Sequence, residues 1–109
     1  MEILVENEQD FTIVSVAGRL DASTAPEMEK RCADLIDEGA RKVILNLAGL
    51  EYVSSAGLRS VLATAKKLKA AGGRLGLCSL SGLVQEVFAI SGFDALLPIY
   101  DTLADAIGK

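Results

Sequence analysis

Histidine is absent from the sequence, and much of the enzyme repertoire goes with it. No Ser-His-Asp triad, no Cys-His pair and no histidine-ligated metal can be assembled. Cysteine is scarce: Cys32 and Cys78 form no CxxC pair and are too few for a cysteine-only zinc site. They read as small buried apolar side chains and fit a reducing, cytoplasmic compartment. Tryptophan is missing and aromatic residues make up only 5%. No apolar run is long enough to cross a bilayer. Met1-Glu2-Ile3 is acidic where a signal peptide would be basic. Neither GxGxxG nor GxxxxGK occurs, which leaves no nucleotide cradle, and no Ser-x-x-Lys supplies a base for a serine nucleophile. The chain is therefore expected to be no enzyme, with no catalytic residue, no metal and no cofactor.

What is present is globular composition. The 109 residues are 50% hydrophobic and 24% charged, and this length suits one domain over 1–109 with a core that needs no disulfide or metal staple. The formal charge is −4 but unevenly spread. Residues 1–54 hold 11 acids and 5 bases, residues 55–109 hold 4 acids and 6 bases, and no acid lies between Glu51 and Glu86. A solvated helix face whose lysines favour a helix C-terminus accounts for these basics. No aromatic residue is interleaved with them to stack a base, so a nucleic-acid partner is not expected.

The hydrophobic pattern predicts β-β-α-β-α-β-α-β-α. Ile3–Glu8 alternates like an edge strand, Gln9-Asp10 is the hairpin turn, and Phe11–Ala17 is apolar on both faces like a deeper strand. Thr24-Ala25-Pro26-Glu27 reads as a Thr-x-x-Glu capping box, followed by Met28, Cys32, Leu35 and Ile36 at helical spacing up to Gly39. Lys42–Leu47 is a buried strand. A second helix starts near Ser54-Ser55, carries Leu58, Val61, Leu62, Ala65 and Leu68 as its stripe, and stops at Gly72-Gly73. Leu75–Cys78 is the next strand, and Leu83, Val84, Val87, Phe88 and Ile90 mark a third helix. A short edge strand around Leu97–Tyr100 contains Pro98, and Asp101 or Thr102 caps a final helix to Ile107. The fold class is α/β: a mixed, mostly parallel sheet of four to five strands that opens with a hairpin, with about four helices.

In such a sheet, functional groups gather in the loops after the strands' carboxyl ends. Two of these loops are polar: Asp21, Ser23 and Thr24 after the second strand, and Glu51, Ser54 and Ser55 after the third. The run Tyr52-Val53-Ser54-Ser55-Ala56-Gly57-Leu58 turns from loop into helix. A serine N-cap alone accounts for the spacing. The functional alternative is a regulatory phosphoserine, because a helix N-terminus tolerates a phosphate whose charge of about −1.5 to −2 would act on whatever docks there. Ala56 and Gly57 would let that partner approach closely, and Arg59 could meet a partner carboxylate.

These residues resemble a known family. Tyr52–Leu58 preceded by Val43-Ile44-Leu45-Asn46-Leu47, together with Gly18-Arg19-Leu20-Asp21 and Ile90-Ser91-Gly92-Phe93, is similar to STAS domains of the anti-sigma factor antagonist family. The element order agrees across essentially the whole chain. The resemblance implies partner switching: an antagonist binds an anti-sigma factor that is also an ATP-dependent serine kinase, phosphorylation of one serine breaks the complex, and a serine phosphatase resets it. Aligned on Gly57-Leu58, the phosphorylated serine falls on Ser55, and the aspartate expected near it on Asp21. Many members carry aspartate where this chain has Ser54, which makes Ser54 the second candidate, and Ala56 stands where others have another serine. The implied partner surface is Asp21, Ser23, Thr24, Ser54, Ser55, Ala56, Gly57 and Arg59, on a chain that is monomeric when free. A constitutive docking subunit of a transporter or signalling assembly, without a phosphoswitch, is the alternative on the same fold. A small-molecule binder or hydrolase at the Asp21–Ser55 corner would lack a base.

Overall fold

The computed structural model describes residues 1–108. The hairpin of β1 (Glu2–Glu8) and β2 (Phe11–Leu20) is followed by α1 (Ala25–Asp37), β3 (Lys42–Asn46), β4 (Leu50–Val53) and α2 (Ser55–Ala70). Then come β5 (Arg74–Cys78), α3 (Gly82–Ile90), a 3₁₀ turn (Phe93–Ala95), β6 (Ile99–Tyr100) and α4 (Leu103–Ile107). The main sheet runs β1-β2-β3-β5-β6, with β1 antiparallel to β2 and the other pairs parallel. This is the predicted mixed, mostly parallel sheet opening with a hairpin.

One strand goes beyond the prediction. β2 has ten residues and continues to Leu20, not Ala17, whereas its neighbour β3 has five. The overhang would leave backbone groups unpaired, and β4 supplies the partner in parallel register, Arg19 opposite Tyr52 and Leu20 opposite Val53. The register shifts between Gly18 and Arg19, at a bulge where Gly18 takes φ +97°, and its amide donates to Gly49 O at 2.9 Å.

Each strand step moves across the sheet in one direction, so right-handed crossovers place α1, α2 and α3 on one face. There Val14, Val43, Leu45, Leu75 and Leu77 of the strands meet Met28, Cys32, Val61, Leu68, Val84 and Phe88 of the helices in one core. The alternate strand residues Ile44 and Cys78 face the other way, where Ala106 and Ile107 of α4 cover them. Ser60 and Thr64 are the buried polar residues of α2. The Ser60 hydroxyl donates to Ala25 O at 3.4 Å, tying α2 to the first turn of α1, and the Thr64 hydroxyl donates to Ser60 O. Both cysteines are buried and free; burial pushes the Cys32 thiol up to about 11, so it stays uncharged near neutral pH.

The third helix forms over the residues that marked it; Val84, Val87 and Phe88 make its inward stripe, while Leu83 and Ile90 are 58% and 86% exposed. One expectation is not met. Thr24 occupies the N-cap of α1, but its side chain makes no cap hydrogen bond, so the capping box is not formed.

The hairpin tip carries a mismatch between sequence and geometry. Gln9 and Asp10 have φ values of 52° and 71°, the left-handed pair of a two-residue primed turn. Side chains with a Cβ are disfavoured there by roughly 1 kcal/mol each. Replacing the pair by Asn-Gly (Gln9→Asn, Asp10→Gly) is expected to raise stability by about 1 kcal/mol, a few degrees in Tm, measured by thermal unfolding.

Candidate functional site

The pairing of β2 with β4 brings the two polar loops together. Leu20 and Val53 are side by side in parallel strands, and the Ser54 amide donates to Leu20 O at 2.9 Å. Asp21 and Ser54, the next residues of each strand, therefore emerge at the same end of the sheet. α2 starts one residue later and packs its first turn straight onto β2.

That packing decides what each residue of the Ser54–Gly57 run does. Ser54 is half-buried with extended backbone, and its hydroxyl accepts from the Gly57 amide at 3.2 Å, an N-cap. Ser55 is the first residue of the helix; it is exposed, and its hydroxyl has no hydrogen-bond partner within the described residues. Ala56 is half-buried. Gly57, expected on the partner surface, is buried instead. A Cβ there would stand 2.6 Å from Leu20 O and 2.9 Å from Leu20 Cγ, so its glycine serves the contact of α2 with β2. Arg59 is exposed one helical turn beyond Ser55, the spacing at which two helical side chains face each other. Leu58 is half-buried against the core and Val61 fully buried.

The Asp21 loop is held by its own side chains. Asp21 Oδ1 accepts from the Ser23 hydroxyl at 2.7 Å and from the Ser23 amide at 3.0 Å. The Thr24 hydroxyl donates to Arg19 O at 2.8 Å and accepts from the Asp21 amide at 2.9 Å. This explains the missing cap: the hydroxyl is spent on closing the loop. The Ser23 hydroxyl and amide are the main cause holding the Asp21 carboxyl below its ordinary value of 3.8, with lesser help from the Thr24 amide and Arg19. The loop's ordering by this carboxylate is therefore intact above that value and is lost as pH falls through the lowered one.

Beside the loop lies a feature that the sequence did not reveal. The Arg19 guanidinium carbon sits 4.1 Å from the centre of the Tyr52 ring, with its Nε 3.8 Å from Asp21 Oδ2. This cation–π stack depends on the Arg19–Tyr52 register, which is invisible until β4 is known. The residues gathered here are a short, rigid polar rim with one free hydroxyl, and no group of three or more histidine, cysteine, aspartate or glutamate residues suited to a metal occurs among the described residues. No helix among the described residues is long and apolar enough to cross a membrane.

The comparison with known proteins agrees with this geometry. The STAS domain family model matches residues 2–106. The chain belongs to the STAS domain family. BtrV of Bordetella bronchiseptica is 39% identical to this STAS domain over 99 residues, 91% of this chain and 85% of its own length. The crystal structure of an anti-sigma factor antagonist from Mycobacterium paratuberculosis superposes with a TM-score of 0.89 at 29% identity, covering 98% of this chain and 91% of that one. The Bacillus cell fate determinant SpoIIAA, solved in its phosphorylated form, superposes with a TM-score of 0.75 at 25% identity, covering 98% and 97%.

The division of labour between the serines predicts unequal stability effects. Ser54→Ala removes the cap and is expected to lower stability by about 1 kcal/mol. Ser55→Ala removes an exposed, unbonded hydroxyl and should leave stability within about 0.5 kcal/mol. Gly57→Ala should cost roughly 1–3 kcal/mol by overpacking against Leu20. Urea unfolding of the three variants checks all of these.

Proposed function

We propose that this STAS domain is an anti-sigma factor antagonist, and that phosphorylation of Ser55 releases it from an anti-sigma factor that is also an ATP-dependent serine kinase. The observation that carries the reading is the free Ser55 hydroxyl at the head of α2, next to a serine whose own hydroxyl is already engaged as the cap. It is supported by relatives named for anti-sigma factor antagonism and by SpoIIAA, a relative that exists in a phosphorylated form. Phosphate reset falls to a serine phosphatase, in the bacterial cytoplasm.

The partner surface in this reading is the rim of half-buried Asp21 and Thr24 and exposed Ser23, together with Ser54, Ser55, Ala56 and Arg59. Unmodified, it exposes Ser55, with Arg59 free to meet a partner carboxylate. Phosphorylation changes this in two ways at once. A phosphate at the first position of α2 gains from the helix dipole and its free amides, so the fold is not disturbed. The same group places about two negative charges where the partner docks, and it draws Arg59 into an intrahelical i,i+4 pair with the acid on the favoured, N-terminal side. The partner meets repulsion and loses its arginine, and release follows without unfolding.

Titration calorimetry against the anti-sigma factor kinase proposed as its partner tests the reading. Ser55→Ala is expected to bind as tightly as the unmodified protein and to resist release by ATP, while Ser55→Asp keeps its circular dichroism spectrum but binds at least about tenfold more weakly. Undiminished binding of Ser55→Asp would contradict it.

A further inference from the structure

The flank of α2 turned away from α1 carries a groove that the serine switch does not use. Along one wall α2 sets Leu62, Ala65, Lys66 and Lys69, the i, i+3, i+4, i+7 spacing of a single helical stripe. The facing wall is the chain after α3, where Leu96 is 61% exposed and Leu97 half-buried. The cavity between them is about 380 Å³, shallow, and mostly apolar, with Arg74 at one end. α1 packs broadly against α2 on its other side, whereas no helix packs comparably along this stripe.

The charges of the groove are all of one sign. Lys66, Lys69 and Arg74 are exposed, and none forms an ion pair among the described residues; their neighbour Lys67 points the other way, to Asp37 of α1 at 3.5 Å. Asp94, in the turn after α3, is not among the residues lining the groove. Solvation alone explains a lysine on a helix face, but not the exposed Leu96 and the apolar lining set opposite it.

We propose that this groove docks an acidic amphipathic helix of a partner protein. A helix laid along the stripe would set its apolar ridge over Leu62, Ala65 and Leu96 and its flanking carboxylates over Lys66, Lys69 and Arg74. A fatty acid would answer the same charges, but the open walls would leave much of an alkyl chain in water. At about 1.5 Å per residue the groove begins roughly 10 Å along α2 from Ser55 and ends about 20 Å from it. The groove therefore does not include Ser55, and the proposal stands apart from the function given above.

The test uses the full chain labelled with ¹⁵N and a blocked 18-residue helical peptide with leucine on one face and glutamate on both flanks. The peptide is expected to shift the amides of Leu62, Ala65, Leu96 and Leu97 and to leave Ser55 unmoved. The charge reversal Lys66→Glu with Lys69→Glu should weaken it by about tenfold or more and create binding to the same peptide with lysine in place of glutamate. The separate variant Leu96→Glu, at an exposed position that leaves folding intact, should also abolish binding. Equal affinity before and after charge reversal would overturn the proposal. So would the absence of shifts in the groove, or shifts produced by sodium laurate and not by the peptide.

Discussion

The hydrogen bond from the Ser54 amide to the Leu20 carbonyl fixes where the second helix begins, and the geometry of the site follows from it. It continues the short parallel pairing of β2 and β4 by one residue, so the chain must leave the sheet at Ser54. A helix that starts there has four amides without internal partners, and Ser54 satisfies one of them through Gly57. Gly57 in turn lets the first turn press against Leu20, where any side chain would collide with the strand. Ser55 is what remains: a hydroxyl held on a rigid edge, at the positive end of a 16-residue helix, with nothing of its own to bond.

The same anchoring explains why a switch here need not touch the fold. The core contacts of α2 run through Val61 and Leu68, while its two exposed features lie at Ser55 and along the lysine stripe, outside those contacts. Charge added at the helix head is answered by the helix dipole, by free amides and by Arg59 on the next turn. A rigid domain that changes only its surface potential is suited to exchange partners, since electrostatic complementarity governs encounter and release more than buried area does.

Much of this was legible in the sequence because the main elements are long and periodic. The inward stripes of α1 and α2 and the apolar runs of β2, β3 and β5 each speak for themselves. β4 was not legible: Leu50-Glu51-Tyr52-Val53 is too short for alternation to register, and its reason for existing is the overhang of β2, a tertiary fact. With β4 hidden, the Arg19–Tyr52 stack and the burial of Gly57 were hidden too. Thr24 misled because its hydroxyl had two uses, cap or loop closure, and Arg19 O decided between them. Ser54 and Ser55 were equivalent as N-caps until the structure placed the Gly57 amide over one of them.

The proposed switch depends on the Ser54 hydroxyl being occupied as the cap and the Ser55 hydroxyl being free. Phosphosite mapping by mass spectrometry, on the protein treated with ATP and the anti-sigma factor kinase proposed as its partner, measures this most directly. A single phosphate on Ser55 with Ser54 unmodified is the expected result. Phosphate on Ser54, or on neither serine after complete reaction with an active kinase, would contradict it.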